Sequence, residues 1–198
     1  ELLSLYKILS PYPEGIINTL KKYKDDFEVY TDILKLDFLE KRSFDFIVSF
    51  GYRRIISSEI INKYRKSIIN LHLSFLPFNR GSHPNLWSHI ENTPSGISIH
   101  FIDEGIDTGD LIFRKEVFID RDKNTFKSSY ELLVSEIEEL FDSKWPDLKK
   151  NKVKLIKDNN KGTFHFYKDG LLLINKLNLG WDTNINEGIN ELRKLKLI

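Results

Sequence analysis

Phe44-Asp45-Phe46-Ile47-Val48-Ser49-Phe50-Gly51, then Ser57 to Arg65, then Ser67-Ile68-Ile69-Asn70-Leu71-His72 decide the fold of this chain. The first run is apolar and stops at a glycine, which predicts a buried strand. Ser57-Ser58-Glu59 is a helix-start pattern, so Ser57 to Arg65 reads as helix. The third run is again apolar and ends in polar residues. Working outward, Leu5 to Leu9 predicts a strand, and Glu14 to Lys22 a helix with Ile16, Ile17 and Leu20 on one face. Phe27 to Tyr30 is a short strand. Gly96 to Ile102 and Leu111 to Ile119 read as strands, and Asn124 to Phe141 as the longest amphipathic helix. Strands alternating with helices predict an α/β sandwich around a largely parallel sheet.

Bulk properties narrow the class. The 198 residues predict one domain with a small appendage, long enough to bury a core without staples. Pro146 and the run Lys149-Lys150-Asn151-Lys152 mark the expected boundary: a catalytic domain over 1–150, then an appendage over 151–198 with a hairpin and a short final helix. Thirty Lys plus Arg face 29 Asp plus Glu, a net charge of +1. A dedicated nucleic-acid binder normally carries a basic excess, so nucleic acid is not an expected partner. The absence of cysteine excludes disulfides, a cysteine nucleophile and thiolate metal sites. No apolar run is long enough to span a bilayer, and Glu1-Leu2-Leu3-Ser4 does not read as a signal peptide.

Three segments carry chemistry. Alternation along a strand puts Asn70 and His72 on one face, and strand ends in α/β sheets open into the ligand crevice. By itself such a pair is more often a polar strand end facing solvent. The second segment is Asp103-Glu104-Gly105-Ile106-Asp107-Thr108-Gly109-Asp110, an acidic loop punctuated by glycine. Its acidic residues lack the spacing of a calcium loop. A carboxylate there is suited to orienting a histidine base, as in many acyl-transfer sites. The third segment is the loop Leu73 to Asn85, which suggests a binding wall. His83, His89, His100 and His165 lack metal-ligand spacing, so no metal is expected. His100, among alternating apolar neighbours, reads as a satisfied buried histidine.

Together, Asn70-Leu71-His72-Leu73-Ser74-Phe75-Leu76-Pro77, Gly96-Ile97-Ser98-Ile99-His100-Phe101 and Asp107-Thr108-Gly109-Asp110-Leu111-Ile112 resemble the formyltransferases that use 10-formyltetrahydrofolate. Leu73 departs from the family's usual proline. Phe78-Asn79-Arg80-Gly81, Pro84 to Ser88 and Gly162-Thr163-Phe164-His165 look most like the short sugar N-formyltransferases. The resemblance implies a Rossmann-like formyltransferase fold and a catalytic trio of Asn70, His72 and Asp107. It implies a reduced-folate site along Tyr52, Arg53, Arg54 and Ile55 and along Ile102, Asp103, Glu104 and Gly105. It places the sugar-nucleotide side at Phe78, Asn79, Arg80, Gly81 and His165. The co-substrate is then 10-formyltetrahydrofolate, without a metal. The acceptor is the amine of a dTDP- or UDP-linked amino sugar for surface polysaccharide such as lipopolysaccharide O-antigen, in the cytoplasm and away from membranes. A homodimer through the appendage is a further expectation of the resemblance. The competing readings are methionyl-tRNA or glycinamide ribonucleotide formylation, hydrolysis of formyltetrahydrofolate, and a non-enzymatic folate or nucleotide-sugar binding module.

Overall fold

A computed structural model describes residues 5–41 and 44–198. The start read as lacking a signal peptide, Glu1-Leu2-Leu3-Ser4, lies outside the described residues. The chain forms two compact units, each assembled from three separate segments.

The first unit holds Glu1–His72, Ile99–Phe113 and Glu138–Lys157. Its elements begin with β1 (Leu5–Leu9), α1 (Glu14–Lys22), β2 (Asp26–Tyr30), α2 (Leu36–Glu40), β3 (Phe46–Phe50), α3 (Ser58–Lys63) and β4 (Ile68–His72). β1 pairs in parallel with β2 and with β3, and β3 pairs in parallel with β4. The register sets Ser49 beside Asn70 and Phe50 beside Leu71. Buried on both faces, β3 is apolar throughout apart from Ser49, as a parallel strand between helical layers requires. The sheet order is β2-β1-β3-β4-β6-β7, with β6 spanning Gly96–Phe101 and β7 Leu111–Glu116. The Ile102 amide donates to Ile68 O, so the end of β6 lies at the start of β4 and the two strands run in opposite directions. The result is the mostly parallel α/β sheet that the alternating pattern predicts.

One core cluster of this unit joins Leu9, Ile47, Ile56, Ile60, Ile61 and Ile68. Another centres on Trp145, which is fully buried edge-on against Tyr6 and Phe46 and donates from Nε1 to Asp25 at 2.7 Å. Trp145 lies on α5 (Phe126–Leu148), a helix that runs past its expected end and through Pro146. A proline cannot donate to the carbonyl four residues back, and here that carbonyl, Asp142 O, accepts from the Tyr23 hydroxyl at 3.3 Å. Burial of Trp145 and Leu148 favours continuing the helix past the break. Lys149, in the run read as the boundary, forms a 2.8 Å ion pair with Asp25.

The second unit holds Leu73–Ser98, Arg114–Ile137 and Asp158–Ile198. The expected loop after β4 contains β5 (Arg80–Gly81) and runs into α4 (Pro84–Ile90). The hairpin expected within 151–198 is replaced, among the described residues, by β8 (Phe164–His165), α6 (Tyr167–Ile174) and α7 (Ile185–Lys194). β8 pairs in parallel with β5 rather than with a neighbour in sequence. Gly81 permits that close pairing, since a Cβ there would lie 2.3 Å from His165 O. Gly170 sits inside α6 where a Cβ would lie 2.5 Å from the His83 ring. The final helix is present, and Asn184 caps it by accepting from the amides of Asn186 and Glu187.

Candidate active site

The site of the first unit grows from the end of β4. Asn70 is half-buried and His72 buried, both on the face that alternation predicts. The acidic loop brings Asp107 to them. Asn70 Nδ2 donates to Asp107 Oδ1 at 3.2 Å, and His72 Nδ1 lies 3.7 Å from Asp107 Oδ2. The loop is built for this placement. Asp103 Oδ1 accepts from the Gly105 amide and from Thr108 Oγ1, closing a tight turn. Gly109 passes so close to Phe101 O that a Cβ would lie 1.9 Å from it. Asp107 itself has φ 53, a left-handed conformation that Asp tolerates better than most side chains.

The structure adds His100 to the trio. It is 2% exposed, and its Nε2 lies 3.3 Å from Asn70 Nδ2 and 3.4 Å from Asp107 Oδ1. Its Nδ1 is 2.7 Å from Phe101 O. The sequence pattern indicated that His100 is buried, and its partners prove to be two members of the trio. The signal was alternation on a strand that neighbours Asn70, legible only once β6 is known to lie beside β4.

The segments expected to hold a folate both lie in this unit. Ile102 and Tyr52 pack on the cluster that contains Ile56, and Asn62 reaches Glu104 at 3.5 Å. A cavity of about 380 Å³ opens at the carboxyl ends of β1, β2 and β3, lined by Pro11, Tyr12, Thr31, Gly51, Tyr52, Arg53 and Arg54. Strand-end cavities at the point where chain order reverses are the usual ligand sites of open α/β sheets. The Tyr52 hydroxyl donates to Asp32 O and accepts from the Leu34 amide, which shapes the cavity rim, and burial raises its pKa. Ile55, on the first segment, and Ile106, directly after the second, are exposed apolar side chains, with Ile55 91% exposed. Asp103 is engaged in the turn and Gly105 provides its space, so both shape the loop.

In the second unit the expected sugar-nucleotide residues gather around the β5–β8 pair. Asn79 is fully buried: its amide nitrogen donates to Glu91 at 2.9 Å and to Thr163, and its oxygen accepts from Thr93. Those bonds pin the loop through Asn79. His165 stacks on Trp87 with ring centroids 3.9 Å apart. Glu91 Oε1 lies 3.0 Å from His165 Nε2, outside hydrogen-bond geometry. Arg80 Nε and Trp87 Nε1 are buried donors without a hydrogen-bond partner among the described residues. Phe78 is half-buried beside them in sequence. Among the described residues no group of three His, Cys, Asp or Glu side chains is placed to hold a metal ion, and no helix is long and apolar enough to cross a membrane.

Asn70, His72 and Asp107 thus converge at a strand end of a mostly parallel sheet, and comparison with known proteins gives the family of the chain. Residues 21–140 match the formyl transferase family, more than half of the chain, and the chain belongs to that family. Among solved structures it is similar to the formyltransferase PseJ from Anoxybacillus kamchatkensis, in complex with UDP-4,6-dideoxy-4-formamido-L-AltNAc and tetrahydrofolate. That likeness has 36% identity and a TM-score of 0.87, and covers 95% of this chain and 99% of the other. A sugar N-formyltransferase from Shewanella sp FDAARGOS_354 is 25% identical with a TM-score of 0.77, over 98% of this chain and 89% of that one. Among curated sequences, the methionyl-tRNA formyltransferase of Fusobacterium nucleatum is 34% identical over 154 residues, 77% of this chain and 49% of that protein. The one from Clostridium tetani is 39% identical over 101 residues, 50% of this chain and 31% of that protein. The chain therefore spans less than half the length of these curated relatives.

Proposed function

We propose that this protein transfers a formyl group from 10-formyltetrahydrofolate to the amine of a nucleotide-linked amino sugar. The observation that carries the reading is the convergence of Asn70, His72 and Asp107 within one unit, at 3.2 and 3.7 Å from Asp107. The near full-length similarity to a sugar formyltransferase supports the acceptor class. The reduced folate supplies an activated formyl carbon. The cavity with Arg53 and Arg54 at its wall fits the carboxylates of such a molecule, and the exposed Ile55 and Ile106 fit its planar ring.

The residues divide the work by chemistry. The amine nitrogen forms a bond to the formyl carbon, and the bond from that carbon to the folate nitrogen breaks. Asn70 donates a hydrogen bond to the oxygen on which negative charge grows, a contribution of about 3–4 kcal/mol to the barrier. Asp107 accepts the proton that the amine nitrogen loses, and His72 relays it toward the departing folate nitrogen. Arg80 suits the diphosphate, because a planar guanidinium binds phosphate oxygens in pairs, and its buried Nε lacks a protein acceptor among the described residues. The formylated sugar then serves surface polysaccharide synthesis.

The sequence similarity to methionyl-tRNA formyltransferases favours a second acceptor, the aminoacyl end of a tRNA. The test is a transfer assay with 10-formyltetrahydrofolate and a panel of UDP- and dTDP-linked amino sugars, methionyl-tRNA, and no acceptor. Formylation of a linked sugar is expected. Transfer to methionyl-tRNA alone, or formate release that needs no amine, replaces the proposal.

A further inference from the structure

We propose that His100 is a positioning residue of this site: its bare Nε2 fixes the Asn70 amide with the nitrogen turned toward His100 and Asp107, and so aims the hydrogen that the growing oxyanion takes. The inference rests on the formyl-transfer reading given above. It starts from one contact that leaves no choice of proton. His100 Nδ1 is 2.7 Å from Phe101 O, and a carbonyl oxygen only accepts, so Nδ1 carries the hydrogen. In the neutral ring Nε2 is then an acceptor. That atom faces Asn70 Nδ2 at 3.3 Å, while Asp107 Oδ1, a second acceptor, faces the same nitrogen at 3.2 Å.

An asparagine amide has two orientations that differ by exchanging oxygen and nitrogen. With the oxygen turned inward, Asn70 would set its lone pairs against those of Nε2 and of the Asp107 carboxylate. With the nitrogen turned inward, each of its two hydrogens finds an acceptor. His100 is 2% exposed and sits on β6 beside β4, so water does not readily take its place as the acceptor. The hydrogen held by His100 anchors the amide. The other, resting on Asp107, passes to the oxyanion as Asp107 turns to the proton of the attacking amine. Without an acceptor at Nε2, the amide loses its anchor and its orientation is no longer fixed.

The test combines a measurement on the unliganded wild type with two variants, His100→Leu and His100→Gln. Long-range proton–nitrogen spectra of the wild type should show the His100 ring protonated at Nδ1 and bare at Nε2; protonation at Nε2, alone or together with Nδ1 as an ion pair with the Asp107 oxygen 3.4 Å away, overturns the proposal. His100→Leu should lower kcat by ~10²-fold, the range for an oxyanion donor, while KM for folate and acceptor changes less than about threefold, as expected for an interaction made only in the transition state. His100→Gln, whose side-chain oxygen reaches the same place, should recover most of that loss. Unchanged kcat in a folded His100→Leu, or equal losses in the two variants, overturns the proposal. Should His100→Leu fail to fold, the tautomer and the kcat of His100→Gln still decide. A wild type that transfers no formyl group but shows the Nδ1-protonated ring defeats the functional reading and leaves the amide orientation standing.

Discussion

Asp107 shows how much of this protein turns on single side chains. It meets Asn70 and His72 from a left-handed backbone, φ 53, that the surrounding turn enforces. Asparagine accepts that conformation well, so Asp107→Asn removes the charge without straining the loop. It should fold normally and lower kcat by about 10²–10⁴-fold, the usual contribution of a positioned proton-transfer group. His72→Ala should do the same. Steady-state kinetics beside thermal melts check both, and a variant that keeps more than about a tenth of wild-type turnover removes its residue from the mechanism. His89 is a different kind of histidine. It is buried at 2% exposure, both ring nitrogens lack a partner among the described residues, and burial, with Arg121 nearby, lowers its pKa from 6.5 to about 4. The unfolded chain therefore takes up a proton between these values while the native ring stays neutral. Stability is complete above pH 6.5, falls as pH drops toward 4, and falls no further on this account below it. The loss is on the order of 3 kcal/mol at most. His89→Leu should flatten the melting temperature between pH 7 and pH 4.5. An unaltered pH profile in that variant would assign the acid sensitivity elsewhere.

At the scale of elements, the C-terminal helix depends on one cap. Asn184 accepts from the amides of Asn186 and Glu187, and its own Nδ2 donates to Asp122 O at 2.9 Å and to Asn124 O. It therefore satisfies the helix start and ties α7 to the turn before α5. Asn184→Ala should cost about 1–2 kcal/mol for the cap alone and more with the tie. Asn184→Asp, which keeps the acceptor and loses the donor, should fall between. Urea denaturation of the three proteins orders them, and an Asp variant no better than Ala would make the tie the whole contribution. The contrast with the strands explains what was legible in the sequence. β1 and α1 fall on Leu5–Leu9 and Glu14–Lys22 as the pattern predicts, because one period rules each. α6 was hidden: Leu171-Leu172-Leu173-Ile174 is a continuous apolar run with no helical stripe, and it buries only Gly170, Leu173 and Ile174. α4 carried a start signal in Pro84, but that proline falls inside the stretch Leu73 to Asn85 that read as one long loop.

For the whole molecule, the convergence of Asn70, His72 and Asp107 was readable because these residues end or follow strands with strong periodicity. The partners of His100 and of Asn79 were not, because both sets depend on which strands and loops become neighbours across the sequence. Charge frames the choice of acceptor. A net charge of +1 offers little general attraction to a polyanion such as tRNA, whose binding draws on many lysine and arginine contacts. A nucleotide-linked sugar needs only a local cation, and Arg80 provides one whose Nε is buried without an acceptor among the described residues. An amino sugar itself offers few contacts, so binding energy from the diphosphate and base must position the reacting amine. The free sugar, stripped of its nucleotide, should therefore have a far lower kcat/KM. Arg80→Ala should weaken use of the linked sugar by about 1.5–3 kcal/mol, the size of a charge-assisted hydrogen bond. It should leave the KM for the folate and the low rate on the free sugar nearly unchanged. The measurement is kcat/KM for linked and free sugars with both proteins. Equal rates on the two sugars would remove the nucleotide from the recognition, and an Arg80→Ala protein equally impaired on both would move Arg80 from binding the diphosphate to holding the β5–β8 pair in place.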